Sequence, residues 1–126
     1  RPASRRARFR ADWGVSPVDA EVLTATREVA DYFEAVARAA GDGKAASNWV
    51  TGEVLASLNA DGGTLHDFPI SAARLGELIL LAKQGAVSST AAKTVFQTMR
   101  TDPAAPRAIA ERDGLIQVGD DSALVE

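Results

Sequence analysis

SPVDAEVLTATREVADYFEAVARAAGDG, residues 16–43, carries the clearest folding signal in this chain. Ser16 is a cap-forming residue, and Pro17 suits a first helical position whose amide needs no partner. Asp19 stands where its carboxylate reaches back to the cap amide. Val22, Val29, Phe33, Val36 and Ala40 recur at helical spacing and predict one apolar side facing a core. Glu34 and Arg38 read as an ion pair on the opposite side, worth about 0.3–0.5 kcal/mol. Gly41 and Gly43 end the element, so one long helix is expected between Pro17 and Ala40.

Working outward, the flanking segments repeat the pattern. SRRARFRADWG predicts a short helix with Ser4 as its cap and Gly14 past its end. SNWVTGEVLASLNADGG predicts another, capped by Ser47 or Asn48, with Trp49 at its entrance. Val50, Val54, Leu55 and Leu58 form its buried stripe. TLHDFP is a connector, because Pro69 disfavours helix at Phe68. Ser71 then caps AARLGELILLAKQG, with Leu75, Leu78, Ile79 and Ala82 inward and Gly85 as the stop. GAVSSTAAKTVF (residues 85–96) opens a fifth helix over about residues 89–100. Asp102 and Pro103 fit the cap and first position of a sixth, which runs to Gly114. LIQV reads as an extended connector, and residues 119–122 as the cap of a further helix. Strand signals are nearly absent, so the expected fold class is all-α, a multi-helix bundle of about six helices.

At 126 residues and 46% hydrophobic composition, the chain suits one folded core. The absence of cysteine excludes disulfides and thiolate metal sites. No apolar run approaches the roughly 20 residues of a membrane span, and no signal-peptide pattern opens the chain, which predicts a soluble intracellular protein. Arg1 stands where an initiator Met would, and the last residues, SALVE, read as the start of a helix. The chain is therefore expected to be a fragment of a longer multidomain protein.

The net charge of −3 conceals segregation. Residues 1–10 hold five arginines and no acid, while residues 11–70 hold ten acids and three bases. Residues 71–107 return to a net +3, and residues 108–126 to −4. Phosphate-rich ligands would meet the first or third block.

Several constellations bear on chemistry. GDGKAAS (residues 41–47) has glycines and a lysine, but a phosphate-binding loop needs a strand before it and a hydroxyl residue after the lysine. Here Ala45 follows Lys44, so a helix-to-helix turn is expected. His66 is the single histidine and lacks the converging ligands a metal site needs. Trp13 and Trp49 adjoin helix ends and read as packing residues rather than nucleobase platforms. Ser88, Ser89 and Lys93 could form a nucleophile and base, but nothing supplies an oxyanion hole or lowers the lysine pKa. The cap reading explains more: Ser88 caps, while Ala92, Val95, Phe96 and Met99 point inward. Ser89, Lys93, Gln97 and Arg100 share a polar face that is either solvated or follows a phosphate backbone. The arginine-rich start carries the same two readings. No catalytic residue and no metal ligand is assigned.

DAEVLTATREVADYFE, SNWVTGEVLASLN, LGELILLAKQGAVSSTAAKTVF and IAERDGLIQVGDDSALVE, in that order, resemble the C-terminal part of the B subunit of Asp/Glu-tRNA amidotransferases, the GatB/YqeY family. The resemblance spans nearly the whole chain. It implies a helical domain over residues 1–118 and the start of a tail domain at residues 119–126. It also implies a non-catalytic role in positioning misacylated Glu-tRNA(Gln) or Asp-tRNA(Asn) for ATP-dependent transamidation in the cytoplasm. In that family a carbon–nitrogen ligase reaction uses glutamine as amido donor, with ATP and Mg²⁺ bound by a domain outside this chain. The implied partners are tRNA, an amidase A subunit and a small C subunit. On this resemblance the chain alone is expected to be inactive. A structural spacer or protein-docking module is the alternative.

Overall fold

The stretch from Ser16 to Gly43 folds as two helices, not one. In the computed structural model, which describes residues 2–117, α2 spans Pro17–Leu23 and α3 spans Arg27–Ala40. Ser16 caps as expected, its hydroxyl accepting from the Asp19 amide at 3.1 Å. The break comes from two threonines that compete for backbone groups. The buried Thr24 hydroxyl donates to Ala20 O at 2.7 Å, and the Thr26 hydroxyl accepts from Val29 N at 3.2 Å as a new cap. The break also rotates the apolar stripe. Ala20 and Leu23 are buried in α2, whereas Val22 is 38% exposed rather than buried. In α3 the buried face is Ala30, Phe33, Val36, Ala37 and Ala40, with Val29 half-buried. Gly41, at φ +67°, closes the helix in the left-handed conformation that glycine adopts without steric cost.

Glu34 departs further from expectation. It is buried, and its carboxylate faces α1, Pro2–Trp13, rather than solvent. Arg8 grips both carboxylate oxygens, and Arg5 and Arg38 each donate at 3.1 Å. Arg5 also reaches Asp31 at 2.7 Å. Arg5 and Arg8 lie 5.7 and 5.3 Å from the centroid of the Phe9 ring. That ring is fully buried and packs on Phe33 at 4.9 Å between centroids. Two of the five N-terminal arginines therefore anchor a helix inside the chain. Ser4 lies within α1 rather than at its cap.

The next helix starts earlier than the capping residues Ser47 and Asn48 suggested. Asp42 is the cap, its Oδ1 accepting from Ala45 N at 3.0 Å, and α4 spans Gly43–Asn48. A π-helical turn, Trp49–Val54, follows directly and leads into α5, Leu55–Asp61. Within it the Thr51 hydroxyl donates to Ser47 O at 2.8 Å. Ser47 is buried and donates to Asp19 Oδ2 at 3.2 Å. Val50 and Val54 are buried as expected, while Leu55 and Leu58 are half-buried. Gly43 lies hard against Trp13, where an added Cβ would stand 2.3 Å from Trp13 Cβ.

The chain divides into two compact units, residues 1–68 and 69–126. The first ends in a single 3-10 turn, Leu65–Asp67, that carries the exposed His66. In the second, α6 (Ala72–Lys83), α7 (Ser89–Met99) and α8 (Pro106–Arg112) pack on one another. Their core holds Leu75, Leu78, Ile79, Val95, Phe96, Met99 and Ile109. Ser71 caps α6, accepting from Arg74 N at 3.2 Å. In that helix Leu81 is buried where Ala82, half-buried, was expected.

The last helix among the described residues begins at Pro106 rather than Pro103. A helix starting at Pro103 would place Pro106 where an amide must donate, and the ring has none. Asp102 instead accepts from Ala104 N at 2.9 Å and from Arg112 at 2.8 Å. Gln117, in the expected connector, donates from its backbone to Ala86 O and from its side chain to Gly85 O at 3.0 Å. The all-α class holds, and no strand occurs among the described residues. The expected boundary between residues 118 and 119, and the cap over residues 119–122, lie outside them.

Candidate nucleic-acid interface

The second unit contains the basic block, and α7 sets out its side chains. Ala91, Ala92, Val95, Phe96 and Met99 are buried, so the remaining positions face outward. Ser88 is the cap: its hydroxyl accepts from Ala91 N at 3.0 Å. Its oxygen is thereby engaged with an orphan helix amide, a role unlike that of a nucleophile. Ser88→Ala is expected to destabilise the second unit by about 1 kcal/mol. Far-UV circular dichroism during urea unfolding measures this loss; no change would mean that the hydroxyl does not cap.

Ser89, Lys93 and Gln97 of the expected polar row fall on one side of α7, and Arg100 follows at its C-terminal cap. Ser89, Lys93 and Gln97 are exposed and Arg100 is half-buried. Arg100 Nη1 donates to Gln97 Oε1 at 2.8 Å, which orients the guanidinium along the helix. No acidic residue occurs between Glu77 and Asp102, so Lys83, Lys93 and Arg100 define the charge of this stretch. A face of this type can hold phosphate oxygens by charge-assisted hydrogen bonds without reading bases.

Behind the C-terminal end of α7 the geometry is set by Arg74. Its Nη2 donates to the carbonyls of Asp102 (2.7 Å) and Ala104 (2.6 Å), and its Nη1 to Pro69 O at 3.3 Å. Arg74 thus fastens the α7–α8 loop and contributes to the basic block without belonging to the exposed row. The Arg112 guanidinium, followed by the Ala104 amide, holds the Asp102 carboxyl below the usual carboxylate range. Asp102 is accordingly engaged by α8 and by its own loop.

The polar row was legible in the sequence; a second row beside it was missed. Thr90, Thr94 and Thr98 occupy the adjoining strip, with Thr101 just past the helix, and a threonine at every fourth residue from 90 to 98 was the available signal. The other candidate features belong to the first unit. Lys44 lies exposed in α4, where the Asp42 carboxylate already occupies the first-turn amide. Trp13 and Trp49 are half-buried in the first unit, and Arg5 and Arg8 are tied to Glu34. Among the described residues, no three His, Cys, Asp or Glu side chains converge as a metal cluster. No helix among them is long and apolar enough to cross a membrane.

Comparison with known proteins gives this arrangement its context. Residues 31–126 match the family model described as the GatB domain. The chain is 49% identical over 123 residues to the B subunit of the aspartyl/glutamyl-tRNA(Asn/Gln) amidotransferase of Chlorobaculum tepidum. It is 50% identical to that of Prosthecochloris aestuarii and 47% to that of Geobacter sulfurreducens. Each alignment covers 98% of this chain and 26% of the relative, so the chain spans about a quarter of their length. With three quarters of its residues inside the family model, the chain belongs to the GatB domain family.

Proposed function

We propose that this chain is a non-catalytic helical domain of the B subunit of a tRNA-dependent amidotransferase, and that α7 helps to position the misacylated tRNA. The observation that carries the reading is the outer face of α7, where Ser89, Lys93, Gln97 and Arg100 stand in one row within a GatB domain. Such a row supplies sequence-independent backbone contacts, which suits an enzyme that must accept the tRNA body while the acylated end reacts elsewhere. Glu-tRNA(Gln) and Asp-tRNA(Asn) are the substrates this assigns. The amidase and the small third subunit are the partners, and the cytoplasm is the compartment. ATP and Mg²⁺ belong, in this reading, to the remainder of the longer polypeptide. In this chain the single glycine-flanked lysine sits beside an amide already capped by Asp42.

The test is titration of labelled tRNA with the chain at several salt concentrations. Binding should weaken linearly in log[salt], and Lys93→Ala/Arg100→Ala should reduce the slope by about 2. A slope unchanged by the double substitution would remove α7 from the interface. A protein-docking reading is favoured by one observation, the exposed pair Val18 (70%) and Val22 (38%) within the acidic block of residues 11–70. Pull-down with the partner subunits, lost in Val18→Asp/Val22→Asp, would support it.

A further inference from the structure

Arg74 carries a charge that its surroundings do not neutralise. The residue is half-buried, and its guanidinium donates only to main-chain carbonyls, those of Pro69, Asp102 and Ala104. Three of its five N–H groups are thereby engaged. The Nε is buried and has no partner. Among the described residues no carboxylate pairs with Arg74: Glu77, one turn further along α6, does not reach it. The Asp102 carboxylate is taken by Arg112 at 2.8 Å and by Ala104 N at 2.9 Å. A cation withdrawn from water without a counter-ion is costly, so an anion beside it is stabilising.

Next to this guanidinium lies a cleft of about 170 Å³ within the second unit. Pro69, Met99 and Pro103 give it apolar walls, and Arg100 lines it together with Arg74. Arg100 is oriented there by its Nη1 bond to Gln97 Oε1 at 2.8 Å. A pocket for a drug-sized ligand holds about 300–1,000 Å³, so this one suits a compact anion with a few waters. Asp102 also lines the cleft and Asp113 lies beyond it on Arg112, but three guanidiniums against two carboxylates leave the cluster net positive. Planar donors, fixed positive charge and partly desolvated walls are the chemistry that recognises phosphate oxygens. We propose that this cleft seats a single phosphate group, carried by an RNA backbone or free in solution, with Arg74 and Arg100 sharing its oxygens. The seat depends on Arg74 and not on the outer row of α7, with which it shares only Arg100, so either reading can fail alone.

Heteronuclear NMR of the nitrogen-labelled chain, titrated with inorganic phosphate and with sodium chloride at matched ionic strength, provides the test. Phosphate should move the Arg74 Nε–H signal and the Thr101 and Asp102 amide signals along one saturable curve, and chloride should not. Arg100→Gln should weaken phosphate binding about ten-fold, as expected for loss of a charged hydrogen bond. Lys83→Gln removes the same charge about 14 Å further along α6 and should leave phosphate binding as it is. Equal responses to phosphate and chloride, or equal losses in the two variants, would mean general screening and overturn the proposal. A second titration, with a short RNA hairpin, separates the two sources. If RNA moves the same signals and inorganic phosphate displaces it, the seat holds a backbone phosphate. If phosphate moves them and RNA does not, the seat holds free phosphate, and the salt dependence of RNA binding then decides the tRNA reading by itself. The comparison of anions leaves the protein unchanged, so it does not depend on a variant that folds.

Discussion

Gly43→Ala is expected to destabilise the first unit by about 2–3 kcal/mol. An alanine Cβ at this position would lie 2.3 Å from Trp13 Cβ, 2.7 Å from Trp13 O and 2.9 Å from Trp13 Cα. Two of those three atoms are backbone, so no rotamer change relieves the contact, and α1 must shift away from α4. Overpacking of this kind costs about 1–3 kcal/mol, and the propensity gained by alanine, at most about 1 kcal/mol, offsets little of it. Gly52→Ala is the matched control. Nothing lies within 4 Å of a Cβ there, so the substitution should be neutral or stabilise by up to about 1 kcal/mol. Both tryptophans, Trp13 and Trp49, belong to the first unit and none to the second. Tryptophan fluorescence during urea unfolding therefore reads this unit alone. A Gly43→Ala midpoint equal to that of the unsubstituted chain would mean that α1 and α4 are not in the close contact described.

Glu34→Gln should cost about 2 kcal/mol at neutral pH and nothing at strongly acidic pH. The carboxylate is buried and takes charged hydrogen bonds from Arg5, Arg8 and Arg38. Breaking a fully buried pair costs about 3–5 kcal/mol, but Arg8 and Arg38 remain 41% and 69% exposed, which reduces the loss. The pH dependence follows from the direction of the shift. Arg8, with Arg5 beside it, holds the folded-state carboxyl below its ordinary value, so the folded chain binds its proton less readily than the unfolded one. The contribution is therefore complete above the unfolded value of about 4.3 and disappears as pH falls through the depressed folded value. Fluorescence-monitored unfolding at pH 7 and near pH 2 should show a gap between the two proteins that closes on acidification. A gap that persisted at low pH would place the effect in packing rather than in charge.

Both residues show where chain-local reading succeeded and where it stopped. Ser16, Ser71 and Ser88 cap the helices assigned to them, because a cap bond closes within three residues and leaves its mark in local sequence. The inward stripe of α7 was legible for the same reason: it has a single period and one core to face. The Ser89–Arg100 row followed directly, being the complement of that stripe. Thr24 and Thr26 misled, since threonine is tolerated within a helix and equally able to end one. The outcome depended on whether α2 and α3 gained more from separate packing. The missed cap at Asp42 belongs to the same class, with several competent residues in one segment.

Glu34 and Gly43 required the folded chain. Glu34 was assigned to Arg38, four residues away, because that partner is visible in sequence; Arg5 and Arg8 lie 29 and 26 residues distant. Gly43 was read as a helix stop, and its actual constraint is the Trp13 backbone. Helix class, the caps at Ser16, Ser71 and Ser88 and the outer face of α7 were thus settled by residues within one or two turns of each other. The division of the Ser16–Gly43 stretch, the burial of a carboxylate and the need for a bare Cα at Gly43 were settled by contacts that exist only once distant helices meet. Burial energies and steric exclusion depend on what occupies the neighbouring volume, and that occupant is set by the whole fold rather than by the local sequence.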